Sequence, residues 1–250
     1  MREENEPLPL NIVTMLNDKA LLPNANLSLA HKLRRPVFPS YGSTPLLLFL
    51  HGYGSNEEDL MSLVPYMDER FFKVSARAPL SLTFGGFAWF HIDSTPDGLS
   101  LDPDEVEIAR LQLMRFIGEA VNAYQIDPRQ VYLLGFSQGA ILGLSAALTE
   151  PSGIAGVVAL SGGLLPNIAD LAKSNAAANR VPIFVGHGTQ DTVLPIHHGR
   201  YAQDRLSRLP CDLTYKEYEM GHEITPAVLD DTSAWLRERI DTFQKAIGRG

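Results

Sequence analysis

The sequence predicts an α/β protein built on a mostly parallel central sheet with helices on both faces. Three observations carry that prediction. Four short apolar runs, at residues 46–50, 131–134, 157–160 and 183–185, are mostly bounded by Gly, Pro or Asp. Runs without polar alternation read as strands buried on both faces, the pattern of a parallel sheet covered by helices. Segments with helical periodicity alternate with these runs, which selects the α/β class. The 250 residues are 45% hydrophobic and 20% charged, so the chain can bury a large core without disulfide or metal staples.

Taken in order, residues 1–25 contain Pro7, Pro9, Pro23 and several Asn and lack the rhythm of the rest of the chain. They predict a partly ordered extension ahead of one domain over residues 26–250. After the first apolar strand, Val106, Ala109, Leu113, Phe116, Ile117, Ala120 and Tyr124 recur at helical spacing, with Asp102 placed as N-cap and Pro103 at the first helical position. Residues 137–149 are apolar nearly all round, as in a helix packed into the interior. Val228, Leu229, Thr232, Trp235, Leu236, Ile240, Phe243 and Ile247 share one face of a final helix. The stretch 162–180 is too short for an independent cap, so no large cap domain is expected.

Charge and composition exclude several functions. The formal net charge of −8 opposes a polyanionic partner, and the one basic cluster, Lys32, Arg34 and Arg35, is too short to reverse it, so no nucleic acid is expected. Cys211 is the only cysteine, which rules out an intramolecular disulfide and paired-cysteine zinc sites. No HExxH is present, His197 and His198 are adjacent rather than one helical turn apart, and phosphate-binding glycine motifs are absent. The amino terminus is acidic where a signal peptide is basic, and no apolar run reaches the ~20 residues of a membrane span. The expected compartment is the cytoplasm, with no integral membrane segment.

Gly135-Phe136-Ser137-Gln138-Gly139 joins an apolar strand directly to the buried helix. A serine on so sharp a strand-to-helix turn takes strained dihedrals, and the residues two before and two after must be small. Such a turn exposes the hydroxyl above the sheet and aims helix-start N–H groups at negative charge forming beside it. A serine nucleophile needs a base, and the base needs an orienting carboxylate. In folds carrying this elbow the chain order is serine, acid, histidine. Asp191, in Gly186-His187-Gly188-Thr189-Gln190-Asp191, follows one strand, and His222, in Gly221-His222-Glu223, follows another. Both fall at carboxyl ends of parallel strands, where active-site groups of such sheets gather.

Seven histidines compete for the base. His51 and His187 lie beside glycines at strand ends, where structural turn roles are as plausible as function, and His91 precedes the serine. His197 and His198, at a helix start, and His31 suit solvent-exposed or capping roles. His222 fits the order best. Asp212, Asp230 and Asp231 compete with Asp191 for the acid. His51-Gly52-Tyr53-Gly54 follows the first apolar strand, so the N–H groups of Tyr53 and Gln138 are positioned to hold a tetrahedral oxygen. Backbone position is expected to matter there more than side-chain identity.

HGYGSNEEDL, RAPL with AWF shortly after it, LLGFSQGA, ALSGGLLP, HGTQD and MGHEI occur in that order. Together they resemble the successive motifs of the phospholipase/carboxylesterase family, which includes acyl-protein thioesterases and small bacterial serine esterases. The resemblance covers about residues 27 to 243. It implies an α/β-hydrolase fold without cofactor or metal. It also implies Ser137 as nucleophile, Asp191 as acid, His222 as base, and Tyr53 and Gln138 as oxyanion donors. The AWF stretch is placed beside the pocket, giving Trp89 and Phe90 as substrate-binding residues, with Leu164 of the GGLLP loop. That loop stands where the eukaryotic thioesterases commonly carry a tryptophan. The expected activity is hydrolysis of small to medium acyl esters, with thioesters and lysophospholipids as neighbouring chemistries. A non-catalytic binding protein of this fold, or a triad hydrolase of a C–C or peptide bond, is the alternative. The sequence leaves the oligomeric state open, a dimer included.

Overall fold

The apolar runs all lie in strands of one seven-stranded sheet, and their register sets the position of every candidate residue. The computed structural model describes residues 26–37, 44–95, 98–174 and 181–248, so the extension expected over 1–25 lies outside the described residues. In chain order the strands are β1 (His31–Arg34), β2 (Leu46–Leu50), β3 (Phe72–Ala76), β4 (Leu80–Ser81), β5 (Phe87–Ala88), β6 (Asp93–Thr95), β7 (Gly98–Ser100), β8 (Val131–Phe136), β9 (Gly156–Leu160), β10 (Ile183–Gly188) and β11 (Leu213–Tyr218). The α-helices are α1 (Pro103–Tyr124), α2 (Gln138–Thr149), α3 (Pro166–Ser174), α4 (His197–Leu206) and α5 (Pro226–Ile247), and a 3-10 helix spans Asp59–Tyr66. The main sheet runs β1-β3-β2-β8-β9-β10-β11, parallel except for β1.

The strands divide their side chains between two cores, which is why they carry no polar alternation. Leu46, Leu48 and Leu50 of β2 and Leu133 of β8 face the apolar sides of α1, α2, α3 and α4. Leu47, Phe49, Tyr132 and Leu134 face α5 and the 3-10 helix. Each fully buried leucine contributes roughly 1.5–3 kcal/mol, so a polar residue on either face would be costly. Helix α1 begins as expected. The Asp102 carboxylate accepts the Asp104 N–H at 2.9 Å, and Pro103 occupies the first helical position. Two short antiparallel pairs, β4 with β5 and β6 with β7, have no counterpart in the sequence reading, because strands of two or three residues carry no readable period.

The chain leaves β2 outward to β3 and returns to the other side of β2 at β8. Ligand crevices open above such a reversal, at the carboxyl ends of the strands. Leu50 of β2 pairs with Gly135, Phe136 pairs with Leu160, Gly186 with Leu160, and Gly188 with Tyr218. The loops after β2, β8, β10 and β11 therefore emerge along one edge. Among the described residues, no helix is long and apolar enough to cross a membrane.

Candidate active site

Ser137 stands between β8 and α2 at φ 54° and ψ −115°, a strained region for a residue with a side chain. Sterics hold it there. A Cβ on Gly135 would lie 2.3 Å from the Gly139 carbonyl oxygen, and one on Gly139 would lie 2.0 Å from that of Leu50. Both contacts are with backbone and cannot relax by rotating a side chain. The Ser137 N–H donates to the Leu160 carbonyl at 2.9 Å, pinning the turn to β9. As the first residue of α2, Gln138 presents an N–H that has no partner within the helix.

Asp191 and His222 meet although they follow different strands. The His222 Nδ1–H donates to Asp191 Oδ2 at 2.7 Å, and the Asp191 side chain is fully buried. Its other oxygen accepts the N–H groups of Val193 and Leu194 at 2.9 and 2.8 Å. The carboxylate is thus satisfied on both oxygens and held in one orientation. That bond places the proton on Nδ1 and leaves Nε2 as the basic nitrogen. The His222 ring lies 4.9 Å from the ring of Phe136, the residue before Ser137. Asp212, Asp230 and Asp231 are not at this site: Asp212 pairs with Arg239, Asp231 with Lys216, and Asp230 is an exposed residue of α5.

The loop after β2 lies directly on the elbow, because a Cβ on Gly52 would sit 3.4 Å from the Ser137 Cβ. His51 anchors this loop. The Ala78 N–H donates to its Nε2 at 3.1 Å, so its proton sits on Nδ1 and is donated to the Gly52 carbonyl at 2.8 Å. Burial pushes the imidazole below its ordinary pKa, consistent with a neutral ring. Further along the loop, the Arg77 guanidinium pairs with the buried Glu57 and holds that carboxyl below the usual range.

Two expectations are corrected. Trp89 and Phe90 are 2% and 0% exposed, and neither lines the cavity above Ser137. The Trp89 ring points into the core and its Nε1–H donates to the His51 carbonyl at 3.0 Å, so it fastens the loop from below. The Gln138 side chain also matters. Its Oε1 accepts the Trp89 N–H at 2.9 Å and its Nε2 donates to the Phe90 carbonyl at 2.6 Å, tying the elbow to the aromatic segment. His91 is exposed and bonds Glu105.

Ser137, Gln138, Tyr53, His222 and Leu164 do line one cavity of about 1030 Å³. Its apolar wall includes Ile92, Leu101, Ile141, Leu165 and Val193. His197, His198 and Tyr201 of α4 line it too, which the sequence did not reveal. An adjacent histidine pair at a helix start carries no motif; the packing of α4 against β10 leaves His198 half-buried, while His197 is exposed at the cavity edge.

The chain is also similar to known proteins. The family model described as phospholipase/carboxylesterase matches residues 37–240. The chain is similar to acyl-protein thioesterase 1 of Gibberella zeae, 29% identical over 223 residues that cover 82% of this chain and 94% of that protein. It is likewise similar to acyl-protein thioesterase 1 of Saccharomyces cerevisiae, 30% identical and covering 78% of this chain and 93% of that protein. Among solved structures, esterase PE8 superposes with a TM-score of 0.70 at 27% identity, covering 83% of this chain and 99% of that one. The fold is that of the α/β-hydrolases, and the chain belongs to the phospholipase/carboxylesterase family of hydrolytic enzymes.

Proposed function

We propose that this enzyme is a serine carboxylesterase that hydrolyses small to medium acyl esters through an acyl-enzyme on Ser137. The observation that carries this reading is the bond from His222 Nδ1 to the buried Asp191 carboxylate, with His222 and Ser137 opening on one cavity. In the first step Ser137 Oγ attacks the ester carbonyl carbon while His222 Nε2 takes its proton. Asp191 holds the imidazole in the tautomer that leaves Nε2 free and stabilises the imidazolium that forms. The carbonyl oxygen, now carrying negative charge, accepts the N–H groups of Tyr53 and Gln138, an interaction worth ~3–4 kcal/mol for one such donor. Collapse breaks the bond to the alcohol oxygen, which leaves with the proton from His222. Water then repeats the sequence on the acyl-serine, releasing the acid and restoring the hydroxyl.

A fluorophosphonate probe is expected to label the protein at Ser137, and Ser137→Ala is expected to abolish both labelling and ester hydrolysis. Full activity in that variant overturns the reading, and absence of labelling in the wild type favours a non-catalytic binding protein instead. Thioesters form a second substrate class, favoured by the relatives that carry the name acyl-protein thioesterase. A screen of matched oxyesters and thioesters across acyl lengths separates the two.

A further inference from the structure

The cavity lining is mixed, with Ser55, Asp59, Ser100 and Asn167 among its polar residues, and on the α4 side it carries two imidazoles that the esterase reading does not use. His197 and His198 open α4 and both line the cavity that holds Ser137 and His222. Their rings lie 4.2 Å apart at an interplanar angle of 34°. Among the described residues, no hydrogen bond holds either ring. The pair is close to the reacting centre through two consecutive glycines. The Cβ position of Gly162 lies 3.1 Å from the Ser137 carbonyl oxygen, and that of Gly163 lies 3.8 Å from His198 Nδ1. His198 therefore stands beside Gly163 and shares the cavity with Leu164.

We propose that His197 and His198 form a polar subsite that takes a hydroxyl group carried on the substrate chain, so that the enzyme prefers hydroxylated acyl esters over plain alkyl esters of the same length. The inference rests on the serine esterase reading of the same cavity and extends it to substrate class. A neutral imidazole offers one donor and one acceptor nitrogen, and a hydroxyl is the small group that answers both. Burial, together with His197 and His187 nearby, keeps His198 below its ordinary pKa against the opposing pull of Asp191, so the neutral form is the one presented. A carboxylate would have to bring a proton with it. A plain alkyl chain lying on the pair displaces water from ring nitrogens and gives nothing back, which penalises it relative to a hydroxylated chain. Among the described residues, no three metal-ligating side chains are grouped to hold an ion, so the pair stands as a hydrogen-bonding surface.

The test compares kcat/KM for p-nitrophenyl hexanoate with a set of p-nitrophenyl hexanoates in which one hydroxyl is walked along the chain, and with the half-ester of hexanedioic acid. The wild-type enzyme is expected to prefer the best-placed hydroxyl over plain hexanoate by about 5- to 20-fold, the worth of one or two net hydrogen bonds. His198→Phe is expected to bring that ratio to about one or below, and His198→Gln, which keeps a donor and an acceptor, to retain most of it. Fluorophosphonate labelling of Ser137 in each protein reports whether the site is intact. A wild-type ratio near one at every hydroxyl position, with labelling intact, overturns this inference alone. So does a preference for the half-ester, which would make the subsite an anion site, or a ratio unchanged in His198→Phe. Failure of the wild type to label brings down the esterase reading and this inference with it. If His198→Phe does not fold, the wild-type ratio and the His198→Gln variant decide the matter.

Discussion

The floor of the cavity and its wall follow opposite rules of construction. On the floor, backbone presses on backbone: no Cβ fits at Gly135 or Gly139, Ser137 is strained, and the Asp191 carboxylate is sealed between two N–H donors and one imidazole. The wall has room at its mouth and backs onto the core: Val193 is 55% exposed and a Cβ at Gly163 would meet nothing closer than 3.8 Å, whereas Leu164 and Ile141 are buried. Under the proposed esterase reading, the fold dictates where charge develops and leaves the fit of the substrate to side chains that can change without disturbing the sheet. Substitutions on the floor are therefore expected to act on turnover or stability for every substrate, and those on the wall to act on selectivity.

After Ser137→Ala, Asp191→Asn carries the largest expected effect. Asparagine keeps an oxygen for the Val193 and Leu194 N–H groups, so the loop is expected to hold and the melting temperature to change little. The amide no longer fixes the His222 tautomer, and kcat is expected to fall by about 10⁴ for short and long esters alike. Stopped-time assays alongside thermal melts check both halves. A loss confined to long acyl esters would place Asp191 on the wall.

Trp89 and Leu164 sharpen it. Trp89→Ala removes a buried indole and its bond to the His51 carbonyl, so a destabilisation of roughly 3–5 kcal/mol is expected, with kcat/KM reduced to a similar degree for acetate and longer esters. Leu164→Ala trims the wall at a residue 6% exposed. Its expected signature is a loss worth ~1–3 kcal/mol that grows with acyl length, accompanied by a smaller drop in melting temperature. Chain-length series and melts on both variants decide. If Trp89→Ala were selective by chain length and thermally silent, the indole would belong to the wall after all.

The same contrast explains what the sequence made legible. Gly135, Ser137 and Gly139 announce the elbow because only glycine satisfies that backbone, and the order of Asp191 and His222 after it follows from parallel strands ending on one edge. The four apolar strands β2, β8, β9 and β10 were readable because both faces of each are buried. Trp89 was not, since an aromatic segment rich in glycine does not say whether its rings point up into a pocket or down into the core. Here the hydrogen bonds of Gln138 and His51 turn it down. His197 is exposed, as expected of a polar residue at a helix start, but the place of both histidines along the cavity escaped because exposure or capping is the ordinary fate there. Tertiary packing alone gave them the cavity.

The smallest expected effect separates floor from wall through protons. His51 opens the loop after β2, fully buried, with its Nε2 accepting and its Nδ1 donating, and its pKa is lowered from 6.5. In the unfolded chain the same ring takes up a proton near its ordinary value. As pH falls through that value, the unfolded state therefore binds a proton that the native state does not, and stability is lost with falling pH until the folded pKa is passed. The slope from this one group is at most about 1.4 kcal/mol per pH unit. Carboxylates such as Glu57, whose pKa is lowered from 4.5, act at more acid pH and leave the window above about pH 5 to the histidines. His198, also lowered, contributes equally to the wild type and to a His51 variant and so cancels in their difference. Urea unfolding between about pH 7 and about pH 5.5 is expected to show a steeper loss for the wild type than for His51→Gln, and an unchanged slope for Leu164→Ala. Equal slopes in the wild type and His51→Gln would mean that the ring accepts a proton in the folded protein, and that the floor under Ser137 is wetter than its packing implies.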